Sequence, residues 1–354
     1  MSQTAPAHAR AGHRRHRGIL ALLAAQACLA GCTVGELKTS PSGPVARHPQ
    51  ATSPSGTVTP RAGTATPSQR LGAVSWPADG VSAADISGIG MTDGLGATRQ
   101  VPIASVAKLM TAYVILQDHP LSGGGSGPDI TVEPSEAAAY PSQARHGDSL
   151  VAIAAGEAIS ERHALEALLL PSADNMAWIL ARWDAGSQDA FVARMNATAR
   201  TLGMNGTSYT DPSGLDPSTT STAADQVRLG MAAMQVPALA AIVAMPTAVV
   251  PVAGAIRNTN TLLGQDGIAG LKTGSTQAGG GCLLVAAWQE VGGRETLIVA
   301  ATFGQPGTAG TILPHALQAG HDLVLALDRA LGAGGQSGSR DDSEGPPQGP
   351  PRVP

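Results

Sequence analysis

Cysteine is nearly absent from this chain of 354 residues: Cys28, Cys32 and Cys282 are the whole supply. Three cysteines make no disulfide framework, and their spacing offers no zinc-ligand set. Lysine is as scarce. Of 22 basic residues, only Lys38, Lys108 and Lys272 are lysine, and the rest are arginine. A lysine kept against such a bias points to work arginine does not do: losing a proton, or acting as a compact ammonium. Lys38 lies in a low-complexity stretch, so Lys108 and Lys272 are the two to explain. Acid is missing from the first 31 residues, which carry Arg10, Arg14, Arg15 and Arg17. The remainder is therefore more acidic than the net −4 of the whole chain, which argues against nucleic acid as a partner.

Other absences narrow the chemistry. No G-x-S-x-G elbow occurs, so a serine-histidine-aspartate hydrolase has no support. His119, His146, His163, His315 and His321 show no metal-ligand spacing. Gly88-Ile89-Gly90 followed by Gly94 has the wrong spacing for a dinucleotide loop. No metal and no cofactor is expected. Cys282 has no partner and reads as a buried apolar residue, not a nucleophile.

What is present divides the chain into four parts. Residues 1–31 read as a signal peptide: a basic stretch from His8 to Arg17, then an apolar run from Gly18 to Gly31 too short to span a bilayer. It ends Leu29-Ala30-Gly31-Cys32. Residues 32–70 are rich in Ser, Thr, Pro and Gly and read as a disordered tether. Residues 71–331 carry the folded domain, and 332–354 read as a disordered tail.

Within the domain, Gly72 to Gly90 reads as two short strands around Pro77-Ala78-Asp79-Gly80. A helix starts at Ser105, and residues 129–150 look irregular. Ser160, Ser187 and Ser221 are expected helix caps, with a further helix from Asn175 to Trp183. Gly267–Thr276, Gly281–Glu290 and Arg294–Phe303 read as strands, and Leu313 to Leu331 as a last helix. Tight turns between the strands imply an antiparallel sheet, with the first and last helices expected on one face.

Three motifs carry the chemistry. Ser105-Val106-Ala107-Lys108 sets a hydroxyl and an amine one helical turn apart on one face. A neutral amine there can take the hydroxyl proton and make it a nucleophile. Leu170-Pro171-Ser172-Ala173-Asp174-Asn175 places a serine in a loop between helices, and Gly270-Leu271-Lys272-Thr273-Gly274-Ser275 places the second lysine on a strand. In this order, 67 and then 100 residues apart, they resemble the S-x-x-K, S-x-N and K-T-G motifs of penicillin-binding proteins and serine β-lactamases. Tyr209-Thr210-Asp211-Pro212-Ser213-Gly214-Leu215, Ser221 to Asp225, Asn258-Thr259-Asn260 and Gly280 to Leu283 extend the likeness to the low-molecular-mass D-alanyl-D-alanine carboxypeptidases of peptidase family S11. Asp211, Asp225, Asn258 and Asn260 themselves read as turn and cap residues.

The resemblance implies a β-lactamase/transpeptidase-like α/β (α+β) fold. An antiparallel sheet of about five strands would be flanked by N- and C-terminal helices, with an all-helical subdomain inserted between the first helix and the later strands. It implies an acyl-enzyme on Ser105, with Lys108 as base and Ser172 as proton relay. Lys272 and Thr273 would hold the substrate carboxylate, with Gly274 allowing close approach, and the Ser105 and Ser275 N–H groups would bind the oxyanion. The implied partners are peptidoglycan stem peptides ending in D-Ala-D-Ala and β-lactam antibiotics. The lipobox-like Cys32 implies a lipid anchor on the outer face of the bacterial cytoplasmic membrane. The chain departs from the pattern at Asp174, where an Asn would donate its amide; a carboxylate only accepts, and beside Lys108 it favours the charged amine. Either Asn175 fills the role, or Asp174 points elsewhere, or activity is reduced. A β-lactamase and an inactive peptidoglycan-binding lipoprotein are the alternatives. No E-x-x-x-N follows Ser172 within roughly 40 residues to support the first.

Overall fold

The structure is a computed structural model that describes residues 71–337, with side chains described as far as 333. The expected signal peptide over 1–31, the lipid anchor at Cys32, the tether over 32–70 and the tail beyond 337 lie outside the described residues.

The chain opens with a hairpin, β1 (Val81–Ile86) and β2 (Gly90–Asp93). β3 (Val101–Pro102) leads through a 3-10 turn at Ala104–Val106 into α1 (Ala107–Asp118). A long insertion follows: β4 (Asp129–Thr131), α2 (Pro134–His146), β5 (Ala158–Ser160), α3 (Glu161–Leu169), α4 (Asp174–Ala185), α5 (Gln188–Thr201), β6 (Thr220–Ser221), α6 (Ala223–Ala233) and α7 (Pro237–Val243). A second hairpin, β7 (Thr247–Val250) and β8 (Gly254–Arg257), precedes the long strands β9 (Ile268–Thr276), β10 (Gly280–Val291) and β11 (Arg294–Gln305), and α8 (Ile312–Ser337) closes the domain.

The five-stranded sheet has the order β2-β1-β11-β10-β9 and is antiparallel throughout. β1 pairs with β11 from Val81↔Phe303 to Ile86↔Ile298, so the two ends of the domain close around the helical insertion. β9 is left as an edge strand beside the insertion.

The central strands lack the polar alternation of a half-solvated sheet, so both faces must be covered. On β10, Cys282, Leu284 and Ala286 join the core formed with α1, α3, α4 and α6, while Leu283, Val285 and Ala287 join Leu323, Val324 and Leu327 of α8. The first and last helices therefore lie on opposite faces, not on one. Residues 72–77 are not a strand: Leu71, Val74 and Trp76 pack with α8, and the Gly72 N–H donates to the Ala330 carbonyl at 3.0 Å. The hairpin forms one step later, between Val81 and Asp93.

Ser160 and Ser187 cap α3 and α5 as expected, accepting from His163 N and Ala190 N. Thr222, not Ser221, caps α6; Ser221 sits in β6 opposite Val101. α2 occupies a stretch expected to be irregular. It starts with Pro134 and a Glu133/Glu136 capping box, and none of its residues is buried, so it leaves no apolar period to read. α8 runs six residues past the expected end at Leu331.

Glu161 opens α3 with its side chain under the Gly-rich segment before β4. Its own N–H donates to Pro128 O at 2.9 Å, Arg162 Nε donates to Gly125 O at 2.7 Å, and Gly127 leaves no room for a Cβ beside the carboxyl. The residue is 1% exposed and Oε1 has no hydrogen-bond partner, so burial pushes the carboxyl up to about 7 from 4.5. The folded state then holds a proton that the unfolded state has lost between these values, and stability falls as pH rises through that window. Melting temperatures measured from pH 4 to 8 should decline less across pH 4.5–7 in Glu161→Gln than in the parent; identical profiles would contradict this account of the carboxyl.

Candidate active site

Ser105 is presented on a forced turn. Ala104, just before it, has φ +48°, and Gly214 (φ +78°) approaches the Ala104 carbonyl so closely that any Cβ would collide with it. On the other side, a Cβ on Gly274 of β9 would sit 3.0 Å from the Ser105 nitrogen. The K-T-G glycine thus lets the edge strand lie against the Ser105 turn. Ser105 remains partly exposed, while the first turn of α1 that follows it is buried.

Lys108 is fully buried, and three oxygens surround its Nζ: Asp174 Oδ1 at 2.6 Å, Ser105 Oγ at 2.8 Å and the Ser213 carbonyl at 3.0 Å. As an ammonium it donates to all three. As a neutral amine it has two N–H bonds and one lone pair. A carboxylate and a carbonyl only accept, so the two N–H groups go to Asp174 and Ser213, and the lone pair faces the one partner that has a proton to give, Ser105. Burial lowers the Lys108 pKa from the ordinary lysine value, and the adjacent Asp174 works against that fall.

Asp174 does not point elsewhere, and Asn175 does not take its place. The second Asp174 oxygen accepts from Ser149 N at 2.9 Å, and the Asp174 N–H donates to Ser149 O at 2.6 Å. Asn175 is turned to the backbone of Val151, donating to its carbonyl at 2.8 Å and accepting from its N–H at 3.3 Å. Ser172 has φ +67°, and its hydroxyl is buried without a partner; no hydrogen bond joins it to Lys108 or Ser105. A strained backbone and an orphaned polar atom in one residue are features that gather at functional sites.

Lys272 is 1% exposed and donates to the Thr273 carbonyl at 2.9 Å. Burial lowers its pKa well below the lysine value and the nearby Lys108 charge adds to this, while Asp174 opposes both. The Thr273 hydroxyl lies 2.6 Å from that of Thr259, which also holds the Leu170 carbonyl, with its N–H at 3.0 Å and its hydroxyl at 3.3 Å. Thr259 therefore joins the Ser172 loop to β9, a role that sequence reasoning missed. Ser275 is exposed.

The turn that carries the Ser213 carbonyl is built by Asp211. Its carboxylate accepts from Ser213 N and Leu215 N, both at 3.1 Å, and from the hydroxyls of Ser213 at 2.5 Å and Thr219 at 2.7 Å. Thr111, one turn along α1, donates to Pro212 O at 2.6 Å and pins the same turn. Asn258 and Asn260 likewise hold backbone, as expected of turn residues. Burial pushes the Cys282 thiol up to about 12, which fits an inert core residue. Among the described residues, no three His, Cys, Asp or Glu side chains are grouped to hold a metal ion.

Residues 94–304 match the family model described as D-alanyl-D-alanine carboxypeptidase. A D-alanyl-D-alanine endopeptidase of Pseudomonas aeruginosa is 37% identical over 192 residues, 52% of this chain and 59% of that protein. The D-alanyl-D-alanine carboxypeptidase DacB2 of Mycobacterium tuberculosis is 36% identical over 210 residues, 57% of this chain and 67% of that protein. The match spans 59% and 58% of the lengths of the endopeptidases of P. aeruginosa and Escherichia coli. The crystal structure of the Streptomyces K15 DD-transpeptidase aligns with a TM-score of 0.61 at 22% identity, covering 72% of this chain and 98% of that one, a likeness of fold. A D-alanyl-D-alanine carboxypeptidase structure from M. tuberculosis aligns with a TM-score of 0.59 at 30% identity, covering 72% and 95%.

Burial and Asp174 act in opposite senses on the Lys108 proton, burial the more strongly. Proton acceptance needs the neutral amine, so acylation of Ser105 should rise with pH along the Lys108 titration. Asp174→Asn removes the carboxylate that favours the ammonium, and the rising limb should move to lower pH, followed as the pH dependence of covalent labelling of Ser105 by an acylating reagent. A limb that does not move would show that Asp174 does not govern the Lys108 proton.

Proposed function

The chain belongs to the D-alanyl-D-alanine carboxypeptidase family, S11, and from that premise we propose that it releases the terminal D-alanine of peptidoglycan stem peptides through an acyl-enzyme on Ser105. The observation that carries this reading is the forced direction of the Lys108 lone pair. Ser105 Oγ attacks the carbonyl of the penultimate D-Ala and passes its proton to neutral Lys108. The N–H groups of Ser105 and Ser275 receive the oxyanion, each donor typically lowering the barrier by about 3 kcal/mol. When the C–N bond breaks, the leaving amine takes a proton back from Lys108 by way of the Ser172 hydroxyl. Water then hydrolyses the ester. Lys272 and Thr273 hold the terminal carboxylate of the substrate.

A β-lactam presents the same acyl centre and carboxylate, so it should acylate Ser105. Incubation with a fluorescent penicillin should give a stable adduct in the parent and none in Ser105→Ala, with D-Ala released from a D-Ala-D-Ala peptide by the parent alone. Rapid loss of the label with drug turnover would indicate a β-lactamase, and absence of both label and D-Ala a site that only binds.

We also propose export, and a lipid anchor at Cys32 that holds the domain at the outer face of the bacterial cytoplasmic membrane. The basic stretch, the apolar run and Leu29-Ala30-Gly31-Cys32 in series support it. Detergent phase partitioning of membranes should place the parent in the detergent phase and Cys32→Ser in the aqueous phase; the same phase for both would remove the anchor.

A further inference from the structure

Beside the active site the sheet ends in a row that crosses three strands. Ser275 of β9 pairs with Gly281 of β10, and Gly281 with Gln305 of β11. Two strand spacings put Gln305 about 10 Å from Ser275. Gln305 is 4% exposed, and its amide nitrogen donates to the Asp79 carbonyl at 2.9 Å, so the row continues into the turn ahead of β1. A cavity of about 550 Å³ opens at this end, on the face that α8 covers. Trp76, Asp79 and Gln305 line it from the sheet side, and His315, Gln318 and Asp322 from α8.

Its walls are held in place. The Trp76 ring lies so close to Gly94 that a Cβ there would collide with it. His315 Nδ1 lies 2.7 Å from the Pro306 carbonyl, which only accepts, so Nδ1 carries the proton of that contact. Gln318 Nε2 donates to Asp322 Oδ1 at 2.9 Å.

We infer that this cavity binds the glycan strand of peptidoglycan, taking one of its N-acetylated sugar rings. The inference rests on the proposed peptidase reading, which puts the scissile carbonyl at Ser275. A stem peptide joins its sugar about four residues before that bond, ~13 Å of extended chain. This length spans the row from Ser275 across Gln305 to the cavity wall. The lining suits a sugar. A pyranose has a flat face of C–H bonds and a rim of hydroxyls, so it needs an apolar plate ringed by donors and acceptors. Trp76 is the plate. The carboxylates of Asp79 and Asp322 accept from hydroxyls, the Gln318 carboxamide does both, and Gln305, its nitrogen engaged by Asp79, keeps its oxygen to accept. Asp79 and Asp322 outnumber Arg329 in the lining, which disfavours a phosphate or an anionic polymer.

The test compares D-Ala release from uncross-linked glycan chains carrying pentapeptides and from the same pentapeptide free in solution. A second point of attachment should lower KM for the glycan-linked substrate about tenfold in the parent. Trp76→Ala removes the plate. Because Trp76 also packs with the α8 core, Asp322→Arg serves as the second variant, filling the cavity from an exposed position. Both should lose the advantage, with release from free pentapeptide and penicillin labelling of Ser105 unchanged in Asp322→Arg. Calorimetry with a β-1,4-linked tetramer of N-acetylglucosamine should show binding to the parent and to neither variant. Equal KM for the two substrates in the parent, or an advantage that survives in both variants, with free pentapeptide still cleaved, would overturn the glycan site and leave the peptidase reading standing. Loss of both label and D-Ala release in the parent would overturn that reading and the glycan site with it.

Discussion

One buried amine constrains the whole site. Lys108 has lost water from all sides, and a charged or half-charged nitrogen in that position must be met by acceptors supplied by the fold. They come from far along the chain: Asp174 is 66 residues on and Ser213 is 105 residues on. Each acceptor is itself fixed. Asp174 is clamped to Ser149 on both backbone groups, and the Ser213 carbonyl is aimed by the Asp211 turn and by Thr111. The helical insertion thus delivers two oxygens to one nitrogen, and Ser105 takes the one position left.

The sheet supplies the other half of the site through its edge. β9 has β10 on one side only, and its glycine admits the Ser105 turn where a side chain would hold the two apart. Thr259 then ties the Ser172 loop to the same strand. Nucleophile turn, loop and strand are coupled by hydrogen bonds, so a shift in one is felt by the other two.

How much of this was legible follows from what leaves a mark in sequence. α3 and α5 were readable because Ser160 and Ser187 cap them, and β9 to β11 because apolar runs lie between glycine turns. α2 buries nothing, and β7–β8 and the short α7 are too brief for a period to declare itself, so these were missed. The opposite placement of α1 and α8 was implicit in Cys282 to Ala287, where consecutive apolar residues serve two cores. In the site, lysine scarcity singled out Lys108 and Lys272. The departure at Asp174 was visible, but its engagement with Ser149 was not, because a backbone partner has no residue identity to betray it. Thr259 was hidden for the same reason: its carbonyl contact and its pairing with another threonine follow from tertiary approach alone.

The depth at which the two lysines lie also shapes how the molecule meets reagents. Lys108 and Lys272 are the only lysines among the described residues, and both are sealed from solvent. Amine-directed chemistry on the described domain therefore finds no exposed ε-amine. Modification of Lys108 or Lys272 would then be a measure of opening, not of surface reactivity.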